Sequence, residues 1–198
     1  MLTKVLAPST VDHVRALRDQ IFADSTHFNP EWVSRQDATV IAQENDDMLC
    51  AAFYGDLILA CNIAKLGGTW WVITNDYLHQ APPRRPAPYC WQLIPTEESL
   101  AQLRGEVAPF DCMLFTDDLG TAFSFSDEAE FTLIGGPQRV INAYAGSYEA
   151  AFQDFSTYTQ ECVDVLTNSQ ISNGRPATPE RFHQQFQMAM SQFRRGNS

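Results

Sequence analysis

Thiols, imidazoles and carboxylates are the side chains through which this sequence would do chemistry, and their spacing decides which kind. The four histidines, His13, His27, His79 and His183, stand far apart. Neither H-E-x-x-H nor the D-x-[DN]-x-[DN]-G calcium loop occurs, so no metal site and no cofactor is expected. None of the five cysteines, Cys50, Cys61, Cys90, Cys112 and Cys162, forms C-x-x-C. Zinc sites draw on close ligand pairs, and an oxidised framework would leave one of five thiols over. They read as reduced, small hydrophobes. Cys112, beside Asp111, is the thiol best placed to be a nucleophile. A small hydrolase or transferase built from Cys112, a histidine and a carboxylate is the alternative reading of the chain. The neighbouring carboxylate works against it, because negative charge raises a thiol's pKa.

Other constellations are weaker. Gly120-Thr121-Ala122 and Gly146-Ser147-Tyr148 are not G-x-S-x-G, which excludes that class of serine hydrolase. Asp117/Asp118 and Asp127/Glu128 are paired carboxylates, and Trp70, Trp71, Trp91, Phe123 and Phe125 are aromatics for a sugar to stack on. Acids at hairpin tips are, however, turn formers first. Gly135-Gly136-Pro137 followed by Arg139 is a strand, a turn and a helix start; without Walker A or G-x-G-x-x-G spacing it reads as a plain connection.

The elements that would position these groups follow from periodicity. A strand over Thr3–Leu6 precedes a helix over Ser9–Asp24, with Val14, Leu17 and Ile21 on one stripe. Asn29-Pro30 opens a short second helix. Thr39–Ile41, Met48–Tyr54, Leu57–Ile63 and Thr69–Leu78 read as strands, too close together for crossover helices and so an antiparallel meander. The proline-rich stretch 79–89 is an exposed connector and the one possible boundary in an otherwise single domain over 1–198. A strand over Tyr89–Ile94, a helix from Thr96 to Arg104 and hairpin strands over Cys112–Phe115, Ala122–Phe125 and Phe131–Ile134 come next. Helices then start after Pro137, at Ser147 and at Thr178-Pro179, with a polar loop over Asn168–Ala177. The predicted class is α+β, a central antiparallel sheet of meander and hairpins flanked by N-terminal and C-terminal helices.

Charge narrows the function further. The chain carries 24 acids and 13 bases, a net charge of −11. Nucleic acid and anionic lipid would be repelled, so neither a direct nucleic-acid partner nor a membrane is expected. Residues 97–164 hold 13 of the acids and 2 bases, and no Lys or Arg occurs between Gly105 and Gln138. Glu106, Asp111, Asp117, Asp118, Asp127, Glu128 and Glu130 fall in that interval, several of them on successive hairpin connections. They are expected to gather at the sheet margin as a surface for a basic protein, with Trp70, Trp71 and Trp91 as anchors. The expected function is thus a non-enzymatic, acidic, inhibitor- or immunity-like binding module. No secretory leader opens the chain, and apolar runs such as Leu57–Cys61, ended at Asn62, are far too short for a membrane helix, so the protein is expected to be cytoplasmic.

Strands linked by acidic turns over Ala122–Ile134 precede Ser147-Tyr148-Glu149-Ala150-Ala151-Phe152. That stretch is similar to bacterial toxin-immunity proteins of the SUKH type, whose helix bears S-[FY]-x-x-F, although the second aromatic here falls one residue later. The resemblance implies an acidic α+β inhibitor and assigns no family.

Overall fold

The structure, a computed structural model, describes residues 1–44, 51–66, 68–74, 89–107, 112–126, 131–173 and 179–196. In chain order these form β1 (Leu2–Val5), α1 (Pro8–Ile21), the short pair β2 (Phe22–Asp24) and β3 (His27–Phe28), α2 (Pro30–Arg35), β4 (Thr39–Glu44) and α3 (Ala51–Ile63). Next are β5 (Trp70–Thr74), β6 (Cys90–Leu93), α4 (Glu97–Val107), β7 (Cys112–Thr116), β8 (Ala122–Ser126) and β9 (Phe131–Gly136). The chain closes with α5 (Gln138–Ala145), α6 (Tyr148–Asn173) and α7 (Pro179–Gln192).

Seven strands make one sheet in the order β1-β6-β5-β7-β8-β9-β4, each neighbouring pair antiparallel. The α+β class is therefore as the sequence predicts, but two of its details are not. Leu57–Ile63 and the described part of Met48–Tyr54 form a helix, α3, instead of two strands. Ala51–Ile63 is apolar on nearly every side, so neither a two-residue nor a 3.6-residue period marks it. As a result β4 does not run on into β5. It pairs with β9 at the far edge, Ile41 opposite Ile134. Of the connector 79–89 only Tyr89 is described.

Both faces of the sheet are covered, so its strands read as unbroken apolar runs. Trp71, Ile73, Met113, Phe115 and Leu133 pack with Val14 and Ile21 of α1, Trp32 of α2 and Phe186 of α7. Their sequence neighbours Trp70, Val72, Cys112, Leu114 and Ile134 point the other way, against Leu57 of α3, Leu100 of α4 and Ile141 of α5. Helix α6 wraps the β4 edge and feeds both cores, Ala151 into one and Phe155 into the other. Each fully buried large side chain adds about 1.5–3 kcal/mol.

Caps and breakers set the helix ends. Asn29 caps α2 by accepting from the Glu31 N–H at 2.9 Å, and Ser147 caps α6 by accepting from Ala150 at 3.0 Å. Helix α1 begins at Pro8 after Ala7 and stops at Ile21, because Phe22 turns extended to pair with Phe28. Helix α6 continues to Asn173, through the expected loop at Asn168, since Thr167-Asn168-Ser169-Gln170 contains no glycine or proline. Gly135 and Gly136 are the last residues of β9 and not an anion-binding turn. A Cβ at Gly135 would meet the Phe28 and Trp32 rings at 3.0 Å, so the aromatic stack lies directly on this backbone. Beyond α7, Arg194 exchanges backbone hydrogen bonds with Val40 at 2.8 and 3.1 Å, adding one bridge to the β4 edge. Among the described residues no helix is long and apolar enough to cross a membrane.

Candidate protein-docking face

Of the acids expected to form one surface, Glu106, Asp117 and Asp118 are among the described residues. Asp117 and Asp118 lie in the β7–β8 turn, past Thr116 and before Ala122. Cys112 and Ser126, next to Asp111 and to the segment 127–130, lie at the other end of the same strands. Successive connections of a meander alternate ends, and five residues of strand separate them by roughly 16 Å. Asp111, Asp127, Glu128 and Glu130 are outside the described residues.

The described members of that set already have partners. The Asp117 carboxylate accepts from Trp71 Nε1 at 2.7 Å. Asp118 accepts from the Gly120 N–H at 3.0 Å and so shapes the turn, whose Leu119 has φ 58° and whose Leu119 carbonyl accepts from Trp32 Nε1 at 2.8 Å. Glu106, at the end of α4, sits 3.9 Å from Lys4. The proposed anchors are core residues. Trp70 and Trp91 are 0% and 1% exposed and Trp71 is 8% exposed, because helices cover both faces of β5 and β6. No indole is presented there for a partner.

A different set of carboxylates stands apart from the fold. Helix α6 spans 26 residues, about 39 Å. It contains four acids, Glu149, Asp154, Glu161 and Asp164, and no base. Asp154, Glu161 and Asp164 are exposed, and steps of seven and three residues keep them within about 80° of one another around the helix, turned away from the buried Phe155. Among the described residues no cation lies in salt-bridge range of these three. Several bases elsewhere are paired: Arg15 with Asp12 and Arg18 with Asp19, both at 2.7 Å, Arg194 with Asp37 at 3.7 Å, and Arg195 with Glu149 at 2.7 Å. The acid-rich block 97–164 contained this signal.

A groove of about 440 Å³ runs between α6 and α7. Phe152, Val163, Phe186 and Met190 give it an apolar floor, and Gln160 and Gln187 stand on its rims. Phe152 is 39% exposed although its ring packs edge-on to Phe193 at 5.2 Å.

Among the described residues, the groups of the enzymatic alternative are not brought together. Cys112 is buried on the α3–α4–α5 side of the sheet. His13 on α1, His27 in the β2–β3 hairpin and His183 on α7 belong to elements that pack the opposite side; His79 is not among the described residues. Burial pushes the thiols of Cys61 and Cys90 up to about 11 and about 12, away from the reactive thiolate. Cys61, Cys90, Cys112 and Cys162 carry no disulfide.

One ordered pair was not foreseen. His27 Nδ1 lies 2.9 and 3.0 Å from the two Asp24 oxygens, and Thr26 donates to the same carboxylate through its N–H at 2.7 Å and its hydroxyl at 2.9 Å. Burial acts to raise the Asp24 carboxyl. The hydrogen bonds from His27 and Thr26 together outweigh it and hold that pKa below its ordinary value. Gln192 of α7 braces the hairpin, accepting from the Phe28 N–H at 3.0 Å and donating to the Thr26 carbonyl at 2.6 Å. This pair closes a turn; a sequence scan passes over it because Asp24 and His27 flank an ordinary polar dipeptide.

Compared with protein-family models, curated proteins and solved structures, the chain matches none.

Proposed function

We propose that this protein is a cytosolic, non-enzymatic binding module that docks a basic protein through the outer face of α6, in the manner of an inhibitor or immunity protein. The observation that carries this reading is the contrast in pairing. Arg15, Arg18, Arg194 and Arg195 are each paired with an acid, whereas Asp154, Glu161 and Asp164 project from a base-free helix with no cation in range among the described residues. Such a field raises encounter rates with a cationic surface and rejects anionic competitors. The four thiols without disulfides are consistent with a reducing compartment.

Affinity capture from the native host at low and high salt tests the reading, with the variant Asp154→Lys/Glu161→Lys/Asp164→Lys run in parallel. The expected result is a discrete basic partner held by the unaltered protein at low salt, weakened by high salt and missing with the variant. Recovery of only neutral or acidic partners, or equal capture by the variant, overturns it.

A further inference from the structure

The two edges of the sheet are finished differently. At β4 the backbone is bridged by Arg194 and covered by α6. At the other edge, β1 has β6 as its one strand neighbour among the described residues. The pairing pattern shows which of its backbone groups are left over. Ile94 donates to the Met1 carbonyl at 3.4 Å and Thr74 donates to the Tyr89 carbonyl at 2.9 Å. Cys90, Gln92 and Ile94 therefore bond toward β1, while Tyr89, Trp91 and Leu93 bond toward β5. Thr3 and Val5 are used in this way, whereas the N–H and C=O groups of Leu2 and Lys4 point out of the sheet. A lysine on such an edge ordinarily guards it. Lys4 is turned back over β6 instead, its ammonium 4.6 Å from the Tyr89 ring centre, 5.6 Å from that of Trp91 and 3.9 Å from Glu106. Met1, Leu6, Tyr89 and Ile94, at the two ends of the β1–β6 pair, leave apolar surface exposed.

We propose that this edge receives β1 of a second copy of the chain, paired antiparallel across a two-fold axis at Thr3, so that two seven-stranded sheets run on as one. In that register the open groups of Leu2 meet those of Lys4 from the other copy, Thr3 faces Thr3, and Met1 faces Val5. Hydroxyl thus meets hydroxyl and apolar meets apolar, pairs that favour a sheet, and the two lysines are kept out of opposition. Moving the axis by one residue, to Lys4, would set lysine against lysine. Charge selects the same edge. The second copy also carries −11, and Asp154, Glu161 and Asp164 belong to the helix that covers β4. Six strand spacings, about 29 Å, separate β4 from β1, several times the Debye length of about 8 Å. Contact through α6 would instead oppose carboxylates to carboxylates. The assembly is an isologous dimer that presents two α6 faces at its opposite ends. It stands independently of the docking function proposed for α6.

Two four-residue strands cover less than a permanent dimer buries, so the association follows concentration. Sedimentation equilibrium of the whole protein at about 0.15 M salt gives an average mass that rises from 22.3 kDa toward twice that between about 1 μM and about 300 μM. Thr3→Glu, at an exposed position, puts like charges across the axis and weakens the association about tenfold or more while the thermal melt stays put. Thr3→Lys does the same with the opposite sign. With copper phenanthroline as oxidant, Thr3→Cys gives a covalent dimer on a non-reducing gel, because residues opposed in this way have Cα atoms about 4.5 Å apart. Lys4→Cys does not, since its twin is displaced by two residues, about 7 Å, along the strand. A mass of 22.3 kDa at every concentration overturns the proposal. So does a dimer that both charged Thr3 variants leave intact, or one that Lys4→Cys cross-links and Thr3→Cys does not. A monomeric protein whose Thr3→Glu variant no longer captures a host partner would give the edge to a foreign strand and contradict the proposal.

Discussion

The β7–β8 turn and the outer face of α6 are both acidic, and they use that acidity in opposite ways. In the turn each carboxylate is part of the fold: Asp117 satisfies the indole N–H of Trp71, and Asp118 holds the Gly120 amide. On α6, Asp154, Glu161 and Asp164 meet no cation among the described residues and contribute nothing to the core. Equal charge density along a sequence therefore does not mean equal function. A carboxylate that builds a turn is engaged in the fold, and one that stays unpaired on a rigid helix is available to a partner.

Substitution separates the two regions, and the largest effect on stability is expected in the turn. Asp117→Ala leaves the nearly buried Trp71 Nε1 without its acceptor and costs about 1–3 kcal/mol of unfolding free energy, read by chemical denaturation. Asp117→Asn keeps an acceptor oxygen and recovers most of that loss. Should Asp117→Ala melt like the unaltered protein, the turn acids would be no more structural than those of α6.

A second structural carboxylate sharpens the contrast through pH. Asp24 has a folded pKa held below its unfolded value, so its contribution is full above the unfolded value, near 4, and is lost as pH falls through the folded pKa. Asp24→Asn flattens that acid limb in stability measured between pH 7 and pH 2. The smallest stability effect belongs to α6. Neutralising all three positions (Asp154→Asn, Glu161→Gln, Asp164→Asn) shifts stability by less than about 0.5 kcal/mol per site, as surface changes do. A drop of several kcal/mol would show that these acids serve the fold.

Much of the fold was legible from the chain alone. Asn29 and Ser147 announced their helices by cap chemistry, and β7, β8 and β9 were bounded by turn residues. What failed did so for physical reasons. Helix α3 carries Leu57, Leu59, Ala60 and Ile63 on several sides, with Leu59 and Ile63 more than half exposed, so no amphipathic stripe identified it. The partner of β4 is more than eighty residues away, at β9, and local spacing contains no information about such pairing. The site was only partly legible. Net charge indicates an acidic surface, but spacing along a chain does not by itself give adjacency in space. A meander sends consecutive turns to opposite ends, while a helix brings residues seven and ten apart onto one face. A strand of continuous apolar residues does not reveal whether one or both of its faces is covered, so Trp70, Trp71 and Trp91 read from sequence as surface anchors.

The central claim is that α6 steers a cationic partner, and the most direct measurement is the association rate against ionic strength. It is made for the captured partner with the unaltered protein and with Asp154→Lys/Glu161→Lys/Asp164→Lys. The rate for the unaltered protein falls steeply as salt rises, and the variant starts about tenfold or more lower at low salt with a nearly flat dependence. Parallel salt dependences for the two proteins would contradict the claim.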